Sequence, residues 1–211
     1  MGNRRLGAQR FNAALKRGSN ETDTTYQAGA GIKNAVVSHK MFKEGGIIET
    51  QILVDLQGKG AQFWSSTSDN DYIGEATAAD GTGAVADCSL MVWENDVHGD
   101  LFEWEVFVVE LPAGGADDIE LSFDTYVAAH AQATNQANTQ LVIVDQTNAL
   151  VAGDRHLMPD PAGSAATTIA AQTDIDGDGL YLSTGESGTA AQYTAGKLLI
   201  ILRGYDTQWG F

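Results

Sequence analysis

"IIETQILVDL" (residues 47–56) decides the fold. Ile48, Thr50, Ile52, Val54 and Leu56 fall on one side of a two-residue period, and Glu49, Gln51 and Asp55 on the other. Side chains alternate across an extended strand, so the pattern predicts a strand with one face in a core and one in water. Leu53 is the exception, an apolar residue on the polar side. The preceding "NAVVSHKMFK" (34–43) reads as a second strand, with "EGG" (44–46) as the turn. Together they predict an antiparallel hairpin.

The same extended pattern recurs along the chain. It is carried by "AVADCSLMVW" (84–93), "LFEWEVFVVEL" (101–111), "IELSF" (119–123), "TQLVIVD" (139–145), "GLYLS" (179–183) and "GKLLIILRG" (196–204). In 101–111, Phe102, Trp104, Val106 and Val108 alternate with Glu103 and Glu105, and "PAGGADD" (112–118) breaks the run. Closely spaced strands without helical patterns between them predict an all-β fold, a β-sandwich or jelly roll. The absence of alternating β and α units disfavours a nucleotide-binding parallel sheet. The Ala-rich stretch 125–138 reads as a short helix or a long loop, and no repeat of fixed period is present.

Twenty-four glycines and three prolines fit a turn-rich globular chain of 211 residues, long enough to bury a core without staples. The lone cysteine, Cys88, forbids an intramolecular disulfide. No stretch approaches a membrane span or a signal peptide, so the expected place of synthesis and folding is a cytoplasm.

The charge is uneven. Arg4, Arg5, Arg10, Lys16 and Arg17 precede the first acid, Glu21. A formal net charge of −16 with +5 in this arm leaves −21 on residues 18–211. An acidic body repels nucleic acid and bare anionic membrane. It suits a protein kept soluble at high salt or high concentration, or is ordinary surface acidity. Residues 4–18 read as a short helix with Phe11 and Leu15 on one narrow stripe, closed by Gly18. Such a helix is marginal in water and needs a surface to dock on. The expected organisation is an arm (1–20), a linker (21–33) and a β body (34–211).

Catalytic signatures are missing. His39, His98, His130 and His156 have no zinc-site spacing, and no nucleophile elbow, phosphate loop or dinucleotide fingerprint occurs. One local motif carries a mechanism. In "TDIDGDGLYLSTGE" (173–186), Asp174, Asp176 and Asp178 stand at positions 1, 3 and 5 of an EF-hand-like calcium loop, with Gly179 at 6. The match then fails, because position 12 is Gly185 rather than a bidentate Glu, and the flanks read as strand. A Ca²⁺ site and a plain Asp-Gly turn are therefore the two readings of this loop. Trp93 and Trp104 sit inside strands and are expected in the core, whereas Trp209 and Phe211 end the chain.

"MGNRRLGAQRFNAALKRG" (1–18) resembles the opening of small virion structural proteins of tailed phages that infect marine bacteria and cyanobacteria. "VVSHKMFKEGGIIETQILVDLQG" (36–58), "LPAGGADDIEL" (111–121) and "YTAGKLLIILRGYD" (193–206) are similar to the same group, in the same order. The resemblance implies a virion component without a catalytic motif. Joined to the charge pattern, it leads to a capsid decoration (cement) protein on the outer capsid surface, a role often filled by trimers. Arg4, Arg5, Leu6, Arg10, Phe11, Leu15, Lys16 and Arg17 are then the docking residues, and the major capsid protein or a second copy is the partner. A receptor- or carbohydrate-binding virion protein, with or without calcium, is the alternative. An interior protein whose arm touches DNA is opposed by the −21 body.

Overall fold

The computed structural model describes residues 36–57, 63–66, 70–76, 87–116, 118–126, 139–144, 153, 155–157, 175–184 and 191–206. The arm, the linker, Asp174 and the chain end at 207–211 lie outside the described residues. Twelve strands and one four-residue helix make up the described secondary structure. The all-β class expected from the alternation therefore holds.

The opening stretch behaves as its pattern requires. β1 (Val36–Glu44) and β2 (Ile47–Asp55) pair antiparallel around Gly45 and Gly46. Both glycines have positive φ, +60° and +81°, which favours glycine at the turn. Along β2 every second residue is buried, from Ile48 to Val54, while Leu53 faces outward. β2 then pairs with β12 (Ala195–Tyr205), and β12 with β6 (Asp100–Ala113). β6 pairs with β9 (Arg155–Leu157), completing a five-stranded antiparallel sheet in the order β1-β2-β12-β6-β9.

A second antiparallel sheet has the order β5-β10-β7-β8. It contains β5 (Met91–Val92), β7 (Ile119–Asp124), β8 (Thr139–Val144) and β10 (Gly179–Thr184). A small third sheet joins β11 (Ala191–Gln192), β3 (Phe63–Ser66) and β4 (Gly74–Ala76). It links the other two. Tyr72 and Ile73, just before β4, bond to β10, and β11 runs through Tyr193 and Thr194 into β12. Inward residues of all three sheets form one buried cluster, including Ile52 and Ile200 from the first, Phe123 and Leu182 from the second and Trp64 from the third.

Two expectations are corrected by pairing. Of the strand expected at 84–93, residues 84–86 lie outside the described residues and 87–93 realise only Met91–Val92, although Cys88, Leu90 and Trp93 are buried as well. In β6, Trp104, Val106 and Val108 point inward as expected, but Phe102 does not. Register against β12 slips between Arg203 and Gly204, so Phe102 is a bulge residue and Leu101 takes the inward place. The bulge turns Phe102 outward, where its ring stacks on Tyr205 with centroids 4.0 Å apart. Nearby, α1 (Asn95–His98) packs against the end of β12. A Cβ on Gly204 would lie 2.1 Å from the His98 carbonyl oxygen, so only glycine lets these backbones meet.

Candidate interaction surface

Two places hold unusual polar chemistry, one buried and one open. The buried one lies on the far face of the second sheet. Asp124 is fully buried and accepts a 2.7 Å hydrogen bond from the Tyr72 hydroxyl at Oδ2 and a 3.3 Å bond from Ser122 at Oδ1. Tyr72 packs on Tyr181, with ring centroids 4.6 Å apart. Burial, then the bond to Asp124 and the field of its carboxylate, push the Tyr72 phenol far above its ordinary value, so it stays protonated. One carboxylate oxygen is engaged from the 71–73 segment and the other by Ser122 of the same strand, and the group is buried. This cluster fastens β7, β10 and the 71–73 segment rather than presenting a nucleophile.

The open place is the outer face of the five-stranded sheet, where Leu53 and Tyr205 are exposed although Ile201 and Glu105 are buried. Cross-strand neighbours share a face, so register alone arranges it in rows. Asp55, Lys197 and Glu110 form one row, and Leu53, Leu199 and Phe107 the next. Gln51, Ile201 and Glu105 follow, then Glu49, Arg203 and Glu103. The last row places Ile47 beside Tyr205.

Ion pairs bracket the apolar row. Lys197 pairs with Glu110 and lies 3.7 Å from Asp55. The bond to Glu110 raises the Lys197 ammonium above its ordinary value against a smaller cost of desolvation. Arg203 donates from Nε to Glu49 at 2.8 Å, and its Nη1 lies 3.0 Å from Glu103 and 3.6 Å from Glu105. Partial burial works against this charge. The hydrogen bond to Glu49 and the fields of Glu49, Glu103 and Glu105 outweigh it and raise the guanidinium above its ordinary value.

Apolar exposure is concentrated here. The described large apolar side chains that reach solvent are Phe42, Ile47, Leu53, Val109, Leu111, Tyr205 and Tyr126. All but Tyr126 belong to strands of this one sheet. Single exposed apolar residues are ordinary, but exposure gathered on one sheet points to a candidate contact surface.

The residues singled out in the sequence fall elsewhere. Arg4, Arg5, Leu6, Arg10, Phe11, Leu15, Lys16 and Arg17 are outside the described residues, as is Asp174. Asp176 accepts a 2.8 Å bond from the Asn95 backbone N–H at the start of α1. Asp178 is buried, its N–H donates to the Ile175 carbonyl at 3.0 Å, and its own carbonyl accepts from Trp93 at 2.8 Å. Gly177 has φ +81° and donates to the Trp93 carbonyl. The described part of the loop is thus a turn that ties the start of β10 to the end of β5. Among the described residues, no group of three His, Cys, Asp or Glu side chains is placed to hold a metal ion. Trp64, Trp93 and Trp104 are all buried.

Sequence reasoning passed over Arg203, Lys197 and the apolar row. The one local signal was Leu53, the break in the alternation of β2. Compared with protein-family models, with curated proteins and with solved structures, the chain matches none.

Proposed function

We propose that this chain is a non-catalytic binding protein of a phage particle, a decoration protein that docks on the assembled shell and stabilises it. The two larger sheets are taken as the layers of a β-sandwich of jelly-roll type, since inward side chains of both enter one core. The outer face of the five-stranded sheet and the N-terminal arm are its two contact elements. The observation that carries the reading is that the exposed apolar side chains gather on the strands of that sheet, with Leu53 and its row lying between two sets of ion pairs. Apolar area supplies affinity there, and the charged rows set orientation and encounter rate. The resemblance of residues 1–18, 36–58, 111–121 and 193–206 to phage virion proteins supplies the setting. A trimer on the shell, with the major capsid protein as partner and synthesis in the host cytoplasm, completes the proposal.

The test is retention on purified capsids of a chain lacking residues 1–20. Loss of the truncated chain supports docking through the arm, and full occupancy defeats it. The glycan-binding alternative now lacks tryptophan platforms among the described residues, because Trp64, Trp93 and Trp104 are in the core. Its remaining aromatic candidates are Phe102 and the exposed Tyr205. Glycan binding that requires Ca²⁺ and is lost in Asp176→Asn would revive it.

A further inference from the structure

We infer that, in the free protein, the outer face of the five-stranded sheet is occupied by the chain's own N-terminal arm, residues 4–17. Three independent features lead there, and none depends on the virion reading. The first is where the arm is tethered. The chain enters the described body at Val36, the first residue of β1, which is an edge strand of this same sheet. Five strands spaced about 4.8 Å apart are about 20 Å across. The intervening residues 19–35 reach roughly 60 Å when extended and average on the order of 20–25 Å as a flexible coil. The whole face is within reach of the arm.

The second feature is apolar matching. Phe11 and Leu15 are spaced four apart in the sequence, an apolar pair that a short isolated helix would leave in water. The row Leu53–Leu199–Phe107 is an apolar strip across three strands, with Leu53 38% exposed at its β1 side. The third is charge. Arg203 is shared by three carboxylates and Lys197 by two, so each cluster holds more acids than cations. Register also places Glu44 and Asp100 on this side, so its described side chains count seven acids to two cations. An arm with five cations and no acid fits the excess.

The tether also selects the chain's own arm over that of a second copy. A short flexible link gives an effective concentration of about millimolar, far above a protein in dilute solution. Arm and face would then shield one another until a shell surface offers contacts to both. This keeps a partly exposed apolar strip from self-association in free protein.

Trypsin reads the docking directly in the full chain, because it cuts after Arg10, Lys16 and Arg17. The arm should be cut about tenfold more slowly than a synthetic peptide of residues 1–20, since cleavage follows the undocked population. Leu53→Glu on the face and Phe11→Ala in the arm should each restore most of the peptide rate. Phe11→Ala changes only the arm, so a folding defect of the body cannot account for its effect. Cleavage at the peptide rate in the unmodified chain overturns the inference. So does protection that neither variant relieves. Protection that vanishes on dilution from about 100 µM to about 1 µM also overturns it, and assigns the face to a second copy's arm.

Discussion

β2 and β10 are both central in their sheets, yet they are buried in opposite ways. β2 alternates, with one side in the core and the other carrying Glu49, Gln51, Leu53 and Asp55. β10 is buried at all six positions, from Gly179 to Thr184. Its inward side is apolar through Leu180 and Leu182, and its far side is polar but dry, with Tyr181 and Ser183 beside Ser122, Asp124 and Tyr72. Polar atoms in such a place need partners, and Tyr72 and Ser122 both bond to Asp124. The difference assigns work to each sheet. In the four-stranded sheet β10 is buried on both faces, and in the five-stranded sheet β2 leaves one side less buried, on the face proposed for contact.

This contrast can be broken by substitution, and the largest effect belongs to the second sheet. Phe123 is fully buried and meets the Trp93 ring edge-on at 5.9 Å. Phe123→Ala should cost about 3–5 kcal/mol in urea unfolding. A loss below about 1 kcal/mol would mean that this sheet is not held as described. The polar side of the same sheet comes next. Tyr72→Phe leaves an Asp124 oxygen without its donor and should cost about 1–2 kcal/mol at neutral pH. The pH dependence has a definite sign. The Tyr72 phenol is raised in the folded chain, so its contribution is complete below the unfolded value near 10 and is lost as pH climbs above it. Unfolding between about pH 10 and 12 should therefore fall less steeply for Tyr72→Phe than for the unmodified chain.

On the outer face of the five-stranded sheet the effects shrink. Arg203→Met leaves Glu49, Glu103 and Glu105 facing one another and should cost about 1–2 kcal/mol. About 1 M salt should recover part of that loss by screening the acids. Smallest of all is Leu53→Ser, expected within about 0.5 kcal/mol of the unmodified chain. Its neighbour Ile52 is fully buried, and Ile52→Ala should cost about 2–5 kcal/mol. Equal effects at these adjacent positions would erase the distinction between the two faces of β2.

What could be read in advance follows from range. The alternation of 47–56 is local, so the hairpin, the inward set and the misfit Leu53 were legible from it. β3, β4, β9 and β11 span two to four residues, too short for a period to register. Phe102 was assigned to the wrong side because a bulge depends on the partner strand, here β12, far along the chain. The contact face was hidden for the same reason. Arg203 meets Glu49 across 154 residues, and Leu53 gains its neighbours Leu199 and Phe107 only through pairing. The basic arm stood out in composition, and nothing local could say which surface it matches.

The central claim is that the outer face of the five-stranded sheet is a working surface. Occupancy on purified shells by the unmodified chain and by Leu53→Glu tests it most directly, with urea midpoints measured alongside to confirm matched folding. An occupancy more than about tenfold lower for Leu53→Glu at equal stability is the expected result, as for a charge placed in the centre of a desolvated contact. Equal occupancy of the two chains would contradict the claim.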